Sequence, residues 1–208
     1  DPDQIKELTL KAITSCLRTC SLDTKYVKAI IFSSQMYGIF AIDADGIPLC
    51  PIILWSDCRA EKQAEALKGS SKAGPFYERT GCPANSIYPI YKIAWIREEA
   101  PQIFQRARKF ISIKEYIVHQ LTNRWVIDHS LASATGLLNI HSRRWDPQGL
   151  DYAALRVEQL SVTVCGEDPI PFTNTTLRNA WGLPEDVVVF SGGGDGPLAN
   201  LGSGAATH

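Results

Sequence analysis

Residues 187–190, Val-Val-Val-Phe, form a β-branched apolar run that leads straight into Ser191-Gly192-Gly193-Gly194-Asp195-Gly196 and then into the helical pattern of residues 197–202. A buried strand that ends in glycines and reopens as a helix belongs to folds in which sheet and helix interleave. The rest of the chain keeps the same alternation. Residues 3–19 repeat apolar side chains at helical spacing behind Asp1-Pro2, a common helix opening. Short apolar runs follow at 27–32, 38–42 and 48–55, and Asp45-Gly46 between the last two supplies the positive φ of a hairpin turn. Helical patterns then occupy 57–67, 76–80, 88–99 and 101–107, with Pro101 ending the third. A strand is expected at 110–113, a helix at 114–121, a strand at 125–127 and a helical turn at 128–134. From 136 to 171 the pattern weakens to one helix at 152–160. The fold class this implies is α/β, with a mixed sheet of about five or more strands and helices packed on it.

Composition narrows the function. Over 208 residues the formal charge is −1 and no long block of like charge occurs, which leaves no electrostatic footprint for nucleic acid or an anionic membrane. A small molecule is the expected partner. No apolar run reaches the roughly 18 residues of a membrane span, and the polar start is unlike a signal peptide, so a cytoplasmic protein is expected. The six cysteines form no CxxC, and no His spacing suggests a metal site, so a reducing compartment and no metal are expected.

Three segments carry candidate chemistry. Ser33-Ser34-Gln35-Met36-Tyr37-Gly38 and Trp55-Ser56-Asp57-Cys58-Arg59 put polar groups and an indole at strand ends, where donors and a flat apolar face suit a polyhydroxylated ligand. The same residues admit a plain structural reading, with Asp57 as a helix N-cap and Trp55 in the core. The loop 192–196 matches neither a P-loop nor GxGxxG. Its glycines let backbone approach a ligand and Asp195 can accept a proton, although a turn with an Asp cap reads equally well. Tyr88, Lys92, Trp95, Ser112-Ile113-Lys114-Glu115-Tyr116 and Asp128-His129-Ser130 read mainly as helix starts and core anchors.

The order of the pieces adds more than any one of them. SSQMYG, IDADG, ILWSDCRA, RTGCP, YPIYKIAWIREE, FISIKEYI, IDHSLASATGLLNI, RRWD and VVVFSGGGDGPLANLG together resemble the first domain of FGGY-family carbohydrate kinases over nearly the whole chain. Gluconokinases are the nearest branch and xylulokinases the next. The resemblance implies an actin-like, ribonuclease-H-like fold, with residues 1–208 as an incomplete first, sugar-binding domain of a two-domain kinase. That domain would lack its opening strand hairpin, and the ATP-binding domain would be absent.

It further implies phosphoryl transfer from ATP, with Mg, to a sugar or sugar acid, gluconate first and xylulose next, in the complete enzyme. Asp195 falls on the family's general base, and Gly193 and Gly194 on a loop near the phosphates. Gln35, Met36, Tyr37, Trp55, Asp57 and Arg59, followed by Tyr88 and Lys92, fall on the sugar side. Tyr37 stands where the family usually has His, which changes reach and removes a titratable group. This segment alone is expected to bind no ATP or Mg, to be inactive as a kinase and to self-associate. The alternative is a catalytically inactive sugar-binding or protein-interaction domain.

Overall fold

A computed structural model describes residues 1–21 and 23–205. Helix α1, Pro2–Thr19, opens with Asp1 as N-cap: its carboxylate accepts from the Gln4 amide at 3.0 Å, and proline fills the first helical position. Leu10, Ile13 and Leu17 on one face of α1 pack against a core of Val118, Leu121, Trp181 and Val189. The Trp181 indole donates to Thr14 at 2.8 Å, which locks the helix in register.

Strand β1, Ala29–Ser34, pairs in parallel with β9, Val188–Gly194, and β8, Ile170–Pro171, pairs antiparallel on the other side of β9. This mixed sheet has the order β1-β9-β8. The remaining strands form three pairs. β2, Phe40–Ile42, runs antiparallel to β3, Lys109–Ile111. β4, Val126–Asp128, runs parallel to β7, Val162–Val164, and β5, Leu138–Asn139, antiparallel to β6, Arg144–Trp145. The mixed α/β architecture is therefore as expected, but among the described residues the strands are divided among four small sheets instead of one of five or more.

Between the strands lie α2, Glu61–Lys68, α3, Ala73–Thr80, α4, Pro89–Glu99, and α5, Pro101–Arg106. Further along come α6, Ile113–Thr122, α7, His129–Ser133, α8, Pro147–Ala153, α9, Thr175–Ala180, and α10, Asp195–Gly202. Ile90, Tyr91, Ile93 and Ile96 bury α4 against α2, α8 and β2, forming the largest apolar cluster. Each such side chain contributes about 1.5–3 kcal/mol on leaving water.

Three local expectations are corrected. Residues 48–55 are no regular strand: they stay beside β2 through isolated bridges at Ile42↔Pro48 and Ile39↔Ile53, because Pro48 and Pro51 have no amide to give a ladder. The first helix after them starts at Glu61 with Ala60 as N-cap, not at Asp57, whose carboxylate binds Arg59 instead. The helix expected at 152–160 is replaced by α8 and a 3₁₀ turn at Val157–Gln159. Asp146 caps α8 by accepting from Gly149 at 2.9 Å, and Ala154, at φ 54°, ends it. Among the described residues no helix is long and apolar enough to cross a membrane.

Candidate functional site

Parallel strands bring their carboxyl ends to one edge of a sheet, and the chain diverges there to leave a crevice. In the β1–β9 pair Ser33 lies opposite Gly193 and Ser34 opposite Gly194. Gln35-Met36-Tyr37 therefore leaves the sheet beside Asp195, the first residue of α10. The two segments touch: a Cβ on Gly194 would lie 2.7 Å from the Met36 sulfur, so glycine is what allows Met36 to lie there. Met36 is part-buried and also packs on the cluster around Ile127 and Leu131.

Asp195 is exposed, and its Oδ1 accepts from the Gly196 amide at 2.9 Å. The N-cap of α10 is Gly194, with no side-chain cap bond, so the reading of Asp195 as a capping residue is not what the helix uses. Gly193 and Gly194 are buried. The Gly194 amide donates to Ser130 Oγ at 2.7 Å, the Gly193 carbonyl accepts from Lys114 Nζ at 3.0 Å, and the Gly192 amide donates to Gly166 at 2.9 Å. These backbone groups of Gly193 and Gly194, expected on a loop near the phosphates, are engaged within the protein, where they form the floor of the Asp195 turn.

The second side is built on 54–59. Trp55 is 57% exposed, so it is not a core residue. Asp57 accepts both Nε and Nη2 of Arg59, at 2.9 and 2.7 Å, and the Arg59 amide at 3.0 Å. The Arg59 hydrogen bond holds the Asp57 carboxyl below its usual range. The guanidinium also lies 4.8 Å from the Trp95 ring, a cation–π distance. Arg59 is thereby fixed as a flat donor at the site's rim.

Lys92 is placed differently from the cleft-lining role expected of it. It has 0% exposure, and Nζ donates to the carbonyls of Tyr37 at 2.9 Å and Leu54 at 2.8 Å. Burial pushes its pKa down to about 8, partly opposed by the Asp57 charge. It ties the two polar segments together from beneath. Tyr37, in the left-handed region at φ 66°, sets its ring edge-on to Tyr88 with centroids 5.5 Å apart. Burial raises the Tyr88 hydroxyl to about 12, which keeps it a neutral donor. Below Gln35, Tyr37 and Glu115 lies a cavity of about 20 Å³, of the size of a single water. A concavity of about 680 Å³, lined by Arg108, Arg144, Trp145, Val157 and Val162, contains none of the candidate residues.

Sequence reasoning overlooked Lys114, Asp128 and Ser130, which it treated as helix starts. The available signal was Lys114 lying in an apolar stretch directly after the Ser112 cap, where a charge needs a buried partner. Among the described residues no group of three or more His, Cys, Asp or Glu could hold a metal ion.

The sequence profile of the FGGY family of carbohydrate kinases, N-terminal domain, matches residues 1–202. The chain belongs to this family. The gluconokinase of Bacillus subtilis (strain 168) is 39% identical over 87% of the chain and 35% of its own length, and that of Bacillus licheniformis 34% identical over 99% and 40%. Among solved structures, a ligand-bound xylulose kinase from Lactobacillus acidophilus superposes with a TM-score of 0.92 at 31% identity, covering 99% of this chain and 41% of that one. A gluconate kinase from the same organism gives 0.91 at 31%, with the same coverage. This FGGY chain therefore spans about two fifths of the length of the relatives it matches.

Proposed function

We propose that a protein carrying this FGGY domain transfers a phosphoryl group from ATP to a hydroxyl of a sugar or sugar acid, with gluconate the first candidate and xylulose the second. The supporting observation is the β1–β9 register, which sets Gln35-Met36-Tyr37 and the exposed carboxylate of Asp195 at one sheet edge. In this reading Asp195 is the general base. It orients the attacking hydroxyl and accepts its proton late, since phosphoryl transfer depends mostly on positioning and charge stabilisation. Trp55 offers a flat apolar face to the carbon side of the sugar, the Asp57–Arg59 pair offers hydrogen bonds at the rim, and Tyr37 and Tyr88 form the wall between.

ATP with a divalent cation would supply the phosphoryl group and part of the charge compensation. The Gly192 and Gly194 amides are already engaged within the chain and are not free to hold a phosphate. The nucleotide side is assigned to the portion of the relatives that this chain does not span, and residues 1–208 to the sugar side. Cytoplasmic location is proposed with the same function.

The test is ADP release by the full-length protein with gluconate, xylulose and a panel of polyols, together with sugar binding to the 208-residue chain by calorimetry. Turnover with one sugar and none by the chain alone is the expected result. Sugar binding without turnover in the full-length protein would favour the inactive sugar-binding alternative.

A further inference from the structure

Directly beneath the Asp195 turn lies a set of buried and half-buried polar groups drawn from four elements. Lys114, on α6, is 1% exposed at its side chain, and its Nζ lies 2.6 Å from Asp128 Oδ2, equally buried at the end of β4. The same ammonium donates to the Gly193 carbonyl. Asp128 Oδ2 also accepts from Ser191 Oγ at 3.1 Å, while its Oδ1 accepts from the Leu131 amide at 3.1 Å and caps α7. On α7, Ser130 takes the Gly194 amide, one residue before Asp195. A buried charge pair is costly to assemble and is poor evidence of stability as such. Here the side-chain hydrogen bonds outside the pair and the α7 cap end on residues 191–194.

We propose that Lys114, Asp128, Ser130 and Ser191 are positioning residues that fix the 191–194 backbone and so aim the Asp195 carboxylate. The inference rests on the reading of Asp195 as general base. It assigns a catalytic consequence to side chains outside the sugar contacts. An error of about 1 Å in the placement of a reacting group can cost on the order of 10² in rate, so one lost bond next to Asp195 is measurable. Ser130→Ala is the variant of choice: it removes a single acceptor and strands no charge, whereas Lys114→Met would leave the Asp128 carboxylate unpaired in the interior.

The experiment combines kinetics of the full-length protein with amide hydrogen exchange on the 208-residue chain. Ser130→Ala is expected to lower kcat by about tenfold with the sugar KM within about threefold, because the sugar side is held elsewhere. Combined with Asp195→Asn, it should lower kcat by no more than about twofold further, since both changes then act through one carboxylate. The Gly194 amide should exchange at least about tenfold faster in Ser130→Ala. Three results would overturn the proposal: kcat unchanged in Ser130→Ala, a full additional loss in the Asp195→Asn background, or unaccelerated exchange at Gly194. If Asp195→Asn alone turns over like the parent, the general-base reading fails, and with it any claim that the network serves that base. Accelerated Gly194 exchange would then show only that the turn is held.

Discussion

Lys92 carries a buried charge whose hydrogen bonds go to the Tyr37 and Leu54 carbonyls, and this gives stability a pH dependence in the alkaline range. Its pKa falls from 10.5 to about 8 on folding, so between those values the unfolded chain binds the extra proton and stability rises with pH. The slope from one such group reaches about 1.4 kcal/mol per pH unit. Denaturation from pH 8 to 10 should show this rise in the parent chain and lose it in Lys92→Met; equal slopes would mean that folding does not lower the Lys92 pKa. Asp195 gives the complementary prediction. Asp195→Asn leaves the Gly194 cap intact, so thermal stability should hold while kcat of the full-length protein falls by about 10² to 10⁴ with sugar KM little changed. Loss of stability without loss of rate would return Asp195 to a structural role. Asp195 was visible in the sequence because glycines and a helix start isolate it. The burial of Lys92 was less visible, its one clue being a lysine within the apolar run Ile90-Tyr91-Lys92-Ile93-Ala94.

The decisive element is β9, and its shape depends on a bulge. Pairing steps from Ile31↔Phe190 to Ser33↔Gly193, so β9 spends one residue more than β1 and turns its end toward the crevice. Gly192 takes the strain at φ 66°, where a Cβ would lie 2.0 Å from the Phe32 carbonyl oxygen. Gly192→Ala combines a left-handed backbone with a backbone clash and should cost at least about 2 kcal/mol of stability. Chemical denaturation measures it, and a change under about 0.5 kcal/mol would mean the bulge relaxes freely. The elements that were legible, α1, α4 and β9, have caps, prolines or β-branched runs that agree with their surroundings. Those that were not are set by partners distant in sequence. Prolines break the ladder at 48–55, and α8 opens on Asp146-Pro147, ahead of the helix expected from Tyr152.

At the scale of the whole molecule, β1 lies at a sheet edge with Ile31 66% exposed, and Trp55, Val162 and Leu201 are also more than half exposed. An unpaired edge with an apolar side chain is prone to pair with another chain. The 208-residue chain should therefore show concentration-dependent association in sedimentation, with Ile31→Lys shifting it toward monomer; a parent that stays monomeric at high concentration would refute this. Fold class and family were readable over the full length because the order of motifs survives where each alone is weak. The division into four small sheets was not, since strand pairing is set by contacts that no local pattern records. Under the proposed function the site, finally, rests on two sets of contacts, Lys92 of α4 beneath Tyr37 and Leu54 and the α6, β4 and α7 groups beneath the turn of Asp195, joined where Met36 meets Gly194. Changes far from that junction add nearly independently. In the proposed kinase, drift at 55–59 can thus exchange one polyol for another while the chemistry stays in place.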